Sequence, residues 1–231
     1  KKRRFNYLFA INPETIGSIC LIHKNLNFLK ENLISGIVLT CLGGPEKKLS
    51  YKLSRQGNSL FDKEFIKIAK MKKIKIRKFD IYGSDERQYC SSECNLPVGQ
   101  LARTVYGKNK EYHTSADDKK FVKLNMFEKT ANEIFNFLKN NEKDIFLRRK
   151  QPYCEIQLGK RNLYPSTNSP NTWTNSSDNI INSRDQLEII NTILSNADGL
   201  TCLSGVKFSK KYSYENKKKF YMKLKKRGLL Y

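Results

Sequence analysis

The sequence predicts an α/β fold for most of the chain, followed by a small helical domain. Three observations carry that expectation. Short apolar runs of strand length alternate with amphipathic helical stretches, glycines close several of those runs, and the composition changes after residue 148. The chain therefore divides into an α/β domain over 1–148, a loop-rich linker over 149–183 and a terminal domain over 184–231.

The elements follow in order. FNYLFAI (5–11) has strand character and runs into a Pro-Glu turn, with a helix expected from about Thr15. Leu26, Leu29 and Leu33 continue at helical spacing. SGIVLTCLGG (35–44) is an apolar run closed by two glycines, as an interior parallel strand would be. LFDKEFIKIAKMKK (60–73) places Leu60, Phe61, Phe65, Ile68 and Ala69 on one side of a helix. KIKIRKFDIYGSD (73–85) alternates like a strand and breaks at Gly83, and NLPVGQLARTVYG (95–107) predicts a turn and another buried strand. KKFVKLNMFEKTANEIFNFLKNN (119–141) is a long amphipathic helix. Pro, Asn, Ser and Thr then dominate until DQLEIINTILSNADG, a helix ending at Gly199. A short segment leads to a last basic helix with Phe220, Tyr221 and Leu224 at helical intervals, stopped by Gly228. Helix, turn, helix and a short strand predict a winged helix-turn-helix.

Composition narrows the function classes. A chain of 231 residues with 39% hydrophobic and 11% aromatic residues can bury a core and is not a disordered type. No run approaches the roughly 20 apolar residues of a membrane span, and no signal peptide is recognisable, so cytoplasm is expected. The six cysteines are scattered, unlike a secreted disulfide framework; the Cys90/Cys94 pair has no second pair at a zinc-site spacing. The net charge of +22 attracts polyanions, although a solvated lysine surface in an Asn-, Ile- and Lys-rich chain explains it equally. Residues 207–231 carry ten Lys or Arg and one Glu, which suits a phosphate backbone. The last helix offers few side chains for reading bases, so nucleic acid is a partner the sequence allows without favouring.

Four segments hold the candidate chemistry. In NPETIGSI, Glu14 lies between a strand and a helix start, where a carboxylate could take a proton from water or simply complement the helix N-terminus. Thr40 and Cys41 end a presumed interior strand, and ligands collect at such ends in open α/β sheets. In GSDERQY, Asp85, Glu86 and Arg87 could hold a substrate amine or carboxylate, or be solvated loop charges. In EYHTSADD, His113 follows Tyr112 and precedes Asp117 and Asp118; it could ligate a metal, with a carboxylate orienting its ring, or be a hydrogen-bonded loop histidine. His23, the second histidine, sits in an amphipathic helix away from these motifs.

Together ETIGS, GIVLTCLGG, GSDERQY and YHTSAD resemble, in order, the motifs of co-catalytic zinc exopeptidases. PETIGSI, GSDERQYC, NLPVG, EYHTSAD and YCEIQLGKRNLYP, followed by a winged helix, look more narrowly like bacterial aminopeptidase-like proteins found beside polysaccharide biosynthesis genes. The resemblance covers nearly the whole chain. It implies an aminopeptidase-like central sheet with helices on both faces, incomplete at its N-terminus, plus the winged-helix domain. It implies metal-assisted hydrolysis of a peptide or amide bond in a small substrate, with Glu14 as general base, Tyr112 helping the oxyanion and His113 as a zinc ligand. Asp85, Glu86 and Arg87 would bind the substrate end, and Asp117 and Thr40 would support the site. Two positions depart from the pattern: Thr15 and Thr40 stand where dinuclear relatives place carboxylate ligands. A single zinc is then expected, with ligands supplied from outside this chain, and the chain is expected to be the C-terminal part of a longer protein or a degenerate product, inactive alone. The alternatives are a catalytically dead binding module of a carbohydrate pathway and a DNA-binding regulator.

Overall fold

The computed structural model describes residues 3–72, 74–164 and 181–231, in two compact units, Lys1–Lys143 and Asp144–Tyr231. The division falls earlier than the composition change at 148, because the strand Phe146–Arg148 pairs within the second unit. Residues 149–164, expected as linker, contribute Ile156, Leu158 and Leu163 to that unit's core; 165–180 lie outside the described residues.

The first unit runs α1 (Ile16–Asn32), β1 (Gly36–Thr40), β2 (Ser50–Lys52), α2 (Leu60–Lys72), β3 (Lys75–Arg77), α3 (Glu86–Tyr89), β4 (Val98–Ala102) and α4 (Leu124–Lys143). Its sheet has the order β1-β4-β2-β3, with β1 parallel to β4, β2 antiparallel to β4 and β2 parallel to β3. Side chains alternate across a strand, so each register assigns two faces. On one face Ile37, Tyr51, Leu101 and Ile76 pack with Phe61 and Phe65 of α2 and Phe137 of α4. On the other, Val38 and Val98 pack with Ile22 and Leu29 of α1 and Tyr89 of α3. Helices therefore cover both faces of a mixed sheet, as predicted.

Two strand expectations are corrected. Residues 6–13 carry no regular secondary structure, so FNYLFAI is not a strand here. Alternation becomes a strand only when a neighbouring strand accepts its hydrogen bonds. Instead the amides of Arg4 and Phe5 and the Tyr7 hydroxyl all donate to the Glu142 carboxylate on α4, while Leu8, Phe9 and Ile11 are exposed. The run 35–44 does form β1, but at an edge of the sheet rather than in its interior.

The second unit contains β5 (Phe146–Arg148), α5 (Ser183–Ser195), β6 (Asp198–Cys202) and α6 (Tyr214–Lys226). β5 and β6 pair antiparallel, and Arg149 bridges to Leu230. Both helices are capped from the preceding residue: Asn182 accepts the Asp185 amide and Ser213 accepts the Asn216 amide. Ile189, Ile190, Ile193, Phe220, Leu224 and Leu230 anchor one continuous core. A strand and a single 3-10 turn, rather than a turn alone, connect the two helices.

Candidate functional site

The Glu14 motif is shaped by a strained backbone. Thr15 has φ 64° and ψ −72°, and the Ile16 amide donates to the Glu14 carbonyl at 2.8 Å. This is the rare left-handed γ-turn, a conformation costing a β-branched residue on the order of 1–3 kcal/mol. The buried Asp85 carboxylate holds it: Oδ1 accepts the Thr15 amide and Oδ2 the Ser18 hydroxyl, each at 2.6 Å. Next to Asp85, the Ser84 hydroxyl donates to Oε1 of Glu14. Glu14 itself is exposed, and its Oε2 has no protein partner among the described residues. Asp85 is thus engaged through both oxygens by a backbone amide and a hydroxyl of the protein itself.

Glu86 is even less available. It is fully buried, and Oε1 pairs with Lys52 Nζ at 2.9 Å, also fully buried. Its Oε2 accepts Gln100 Nε2 and the Ser84 amide. The strand register explains the arrangement. Lys52 of β2 lies opposite Gln100 of β4 and Arg77 of β3, so the three form one polar row on the face toward α3. Arg77 in turn donates to Gln100 at 2.7 Å, and Lys52 also reaches Asp80 and the Tyr82 carbonyl. Gly83 makes the fit possible, since a Cβ there would fall 1.9 Å from Glu86 Oε1. Asp85 and Glu86, expected on the substrate side, are thus buried here and paired with groups of the protein itself. Arg87, partly exposed and donating from Nε to the Ser84 carbonyl, is the member of the trio that keeps solvent-facing surface.

A hollow of about 210 Å³ opens where β1 and β4 end. Thr40, Cys41, Gly43, Gly44, Thr104, Tyr112 and Asp117 are among the residues that line it. The amides of Arg103 and Thr104 both donate to the Cys41 carbonyl, which ties the two strand ends together. Thr40, Tyr112 and Asp117 line the same hollow. Tyr112 stacks on His113 with ring centroids 3.9 Å apart. Burial first, then negative charge at Cys41 and at Glu14, raises the Tyr112 phenol above its usual pKa, while Arg87 lowers it. Glu14, Arg87 and Tyr112 thus share one electrostatic neighbourhood. His113 is exposed with φ 57°, and Asp118 accepts the Lys120 and Phe121 amides rather than the imidazole. His23 is exposed on α1.

Zinc does not fit this residue set on its own. Among the described residues no three His, Cys, Asp or Glu side chains gather as a metal site requires. Thr15 is held through its backbone amide, and Thr40 offers a hydroxyl next to Cys41 Sγ at 3.5 Å. Sequence reasoning missed Ser84, Lys52 and Arg103. The buried Arg103 bonds Thr130, Glu133 and two carbonyls near the hollow. The one available signal was Arg103, a charge directly after the apolar run that forms β4; nothing local marked Lys52 or Ser84.

The pattern of a family described as "Domain of unknown function (DUF4910)" matches residues 1–144. The chain belongs to this family. The DUF4910 match covers the whole unit that carries Glu14, Ser84, Asp85 and Tyr112. A Clostridium acetobutylicum protein named for polysaccharide biosynthesis, with an aminopeptidase-like domain, is 38% identical over 168 residues. That alignment spans 71% of this DUF4910 chain and 37% of the relative. A crystal structure of a protein assigned as a peptidase, also from Clostridium acetobutylicum, matches with a TM-score of 0.56 at 28% identity. It covers 95% of this chain and 46% of that one, so the chain spans less than half the length of both relatives. The resemblance to aminopeptidase-like proteins is thereby supported by sequence and by fold.

Proposed function

We propose that this chain is part of an aminopeptidase-like hydrolase of a peptide or amide bond in a small substrate, in a polysaccharide-biosynthesis setting. The observation that carries the reading is Glu14. An exposed carboxylate has one oxygen held by Ser84 and the other open, close enough to Tyr112 of the hollow for its charge to act on the phenol. A positioned carboxylate of this kind can take a proton from an attacking water and pass it to the leaving amine. Tyr112 keeps its proton through neutral pH and can donate to the developing oxyanion. Arg87 offers charge to a substrate carboxylate. Zinc, with His113 as the one candidate ligand in this chain, would need its remaining ligands from outside it. We place the protein in the cytoplasm, on its scattered free cysteines; no described helix is long and apolar enough to cross a membrane.

The second unit is proposed as a winged-helix-like domain, supported by two capped helices beside a small antiparallel sheet. The lysines of α6 suit a phosphate backbone, but protein contact is the favoured use. A second reading of the whole is a catalytically dead binding module, favoured by Thr15 and Thr40 at positions where dinuclear relatives hold carboxylates. Zinc content and turnover of an aminoacyl amide by the intact protein separate the two. About one zinc per chain with turnover supports the hydrolase; neither supports the module. Glu14→Gln should abolish turnover while the metal content stays unchanged. Activity retained in that variant removes Glu14 from its role.

A further inference from the structure

We propose that Asp85 is a positioning residue: its buried carboxylate holds Thr15 in the left-handed γ-turn that sets the direction of the Glu14 side chain toward Ser84. What Glu14 does there rests on the hydrolase reading; the clamp itself does not.

The argument starts from the sheet. The polar row of Gln100, Lys52 and Arg77 fixes the Glu86 carboxylate on its α3-facing side. Glu86 in turn fixes Ser84, accepting its amide at 3.1 Å. Ser84 and Asp85, adjacent in sequence, then grip Glu14 and Thr15, also adjacent, seventy positions away. One grip is on the Glu14 side chain and the other on the Thr15 backbone. Two fixed points at neighbouring residues define both the position and the direction of the carboxylate. A lone hydrogen bond from Ser84 would leave the Glu14 backbone free to relax.

Strain shows why the second grip is needed. A threonine released from Asp85 has every reason to leave φ 64°, because its Cβ crowds the neighbouring carbonyl there. Relaxation would swing the Glu14 carboxylate away from Ser84. A charge-assisted bond from the Thr15 amide to a buried carboxylate opposes this. Glycine suffers no such crowding, since the mirror-image regions are equivalent for a residue without a Cβ. The clamp should therefore be dispensable when residue 15 has no side chain, which gives the test.

Amide hydrogen exchange and thermal unfolding are measured on the 231-residue chain carrying Asp85→Asn, Thr15→Gly and both substitutions. Asp85→Asn keeps a neutral oxygen for the Thr15 amide but loses the charge, so exchange at the Thr15 and Ile16 amides should speed roughly five- to tenfold, the factor between a charge-assisted and a neutral bond. Adding Thr15→Gly should bring the Ile16 amide back to within about threefold of the unsubstituted rate, set by the usual few-tenths error of additivity. Thr15→Gly alone should raise Tm by about 2–4 °C, the opposite of the usual effect of introducing glycine. That arm decides the matter even where Asp85→Asn fails to fold. Unchanged exchange in Asp85→Asn, or a fall in Tm for Thr15→Gly, overturns the proposal. In the intact enzyme, Asp85→Asn should lower kcat with KM unchanged, and the second substitution should restore it. A raised KM that glycine does not rescue makes Asp85 a substrate contact and also overturns the proposal. Absence of turnover in the unsubstituted enzyme counts against the hydrolase reading, and the exchange and Tm arms still judge the clamp.

Discussion

The two halves of the candidate site are built on opposite plans. The half around Glu14, Ser84, Asp85 and Glu86 is rooted in the sheet, and its carboxylates Asp85 and Glu86 are buried and matched. The half around Tyr112, His113 and Asp117 is a series of turns near the surface, with His113 and Asp117 both exposed. The difference separates two tasks. Residues nearest the sheet fix geometry, and the groups left open for chemistry are carried at the rim: Glu14 on one side, Tyr112 and His113 on the other. Charge alone does not distinguish them, since acidic side chains appear in both.

The largest effect should come from the root of the first half. Lys52→Ala leaves Glu86 charged, buried and without its cation, and should cost about 3–5 kcal/mol in chemical denaturation. A loss below about 1 kcal/mol would break the contrast. The paired replacement Lys52→Met with Glu86→Leu should recover much of that loss, because no isolated charge remains. A smaller effect is expected at the floor of the hollow. Gly44→Ala would put a methyl group 2.0 Å from Thr104 Oγ1, a buried hydroxyl without a partner among the described residues. It should cost about 1–3 kcal/mol by overpacking, and a crystal structure should show the Thr104 side chain displaced. Smaller still, His113→Ala and Asp117→Ala should each change stability by no more than about 0.5 kcal/mol, as exposed positions do. A larger loss at either would mean that the outer half is structural after all.

The sequence disclosed the parts of this architecture that depend on local pattern. The amphipathic stretches became α2 and α4, and the Gly-closed run became β1; Tyr112, Asp117 and Thr40, each singled out from a separate motif, line one hollow. What escaped was set by neighbours distant in the chain. FNYLFAI alternates like a strand, yet its first amides bond to Glu142. Glu86 read as a substrate contact or a loop charge because its partner Lys52 sits on a three-residue strand that no period announces. Asp85 looked like a substrate contact because the left-handed backbone of Thr15 is not written in a threonine. The long-range polar network, more than the apolar core, was hidden.

The central claim is that the two halves meet, with Glu14 and Tyr112 in one site. Tyr112 reports on this directly, since its phenol is raised by burial and by the nearby negative charges of Cys41 and Glu14. A tyrosine raised in the folded state keeps its proton where the unfolded chain loses it. Its contribution is therefore complete below pH about 10 and lost as pH rises through the folded pKa. The decisive measurement is an NMR titration of Tyr112 in the unsubstituted chain and in Glu14→Gln. The account predicts a raised phenol pKa that falls on substitution; an identical titration in both proteins would contradict it.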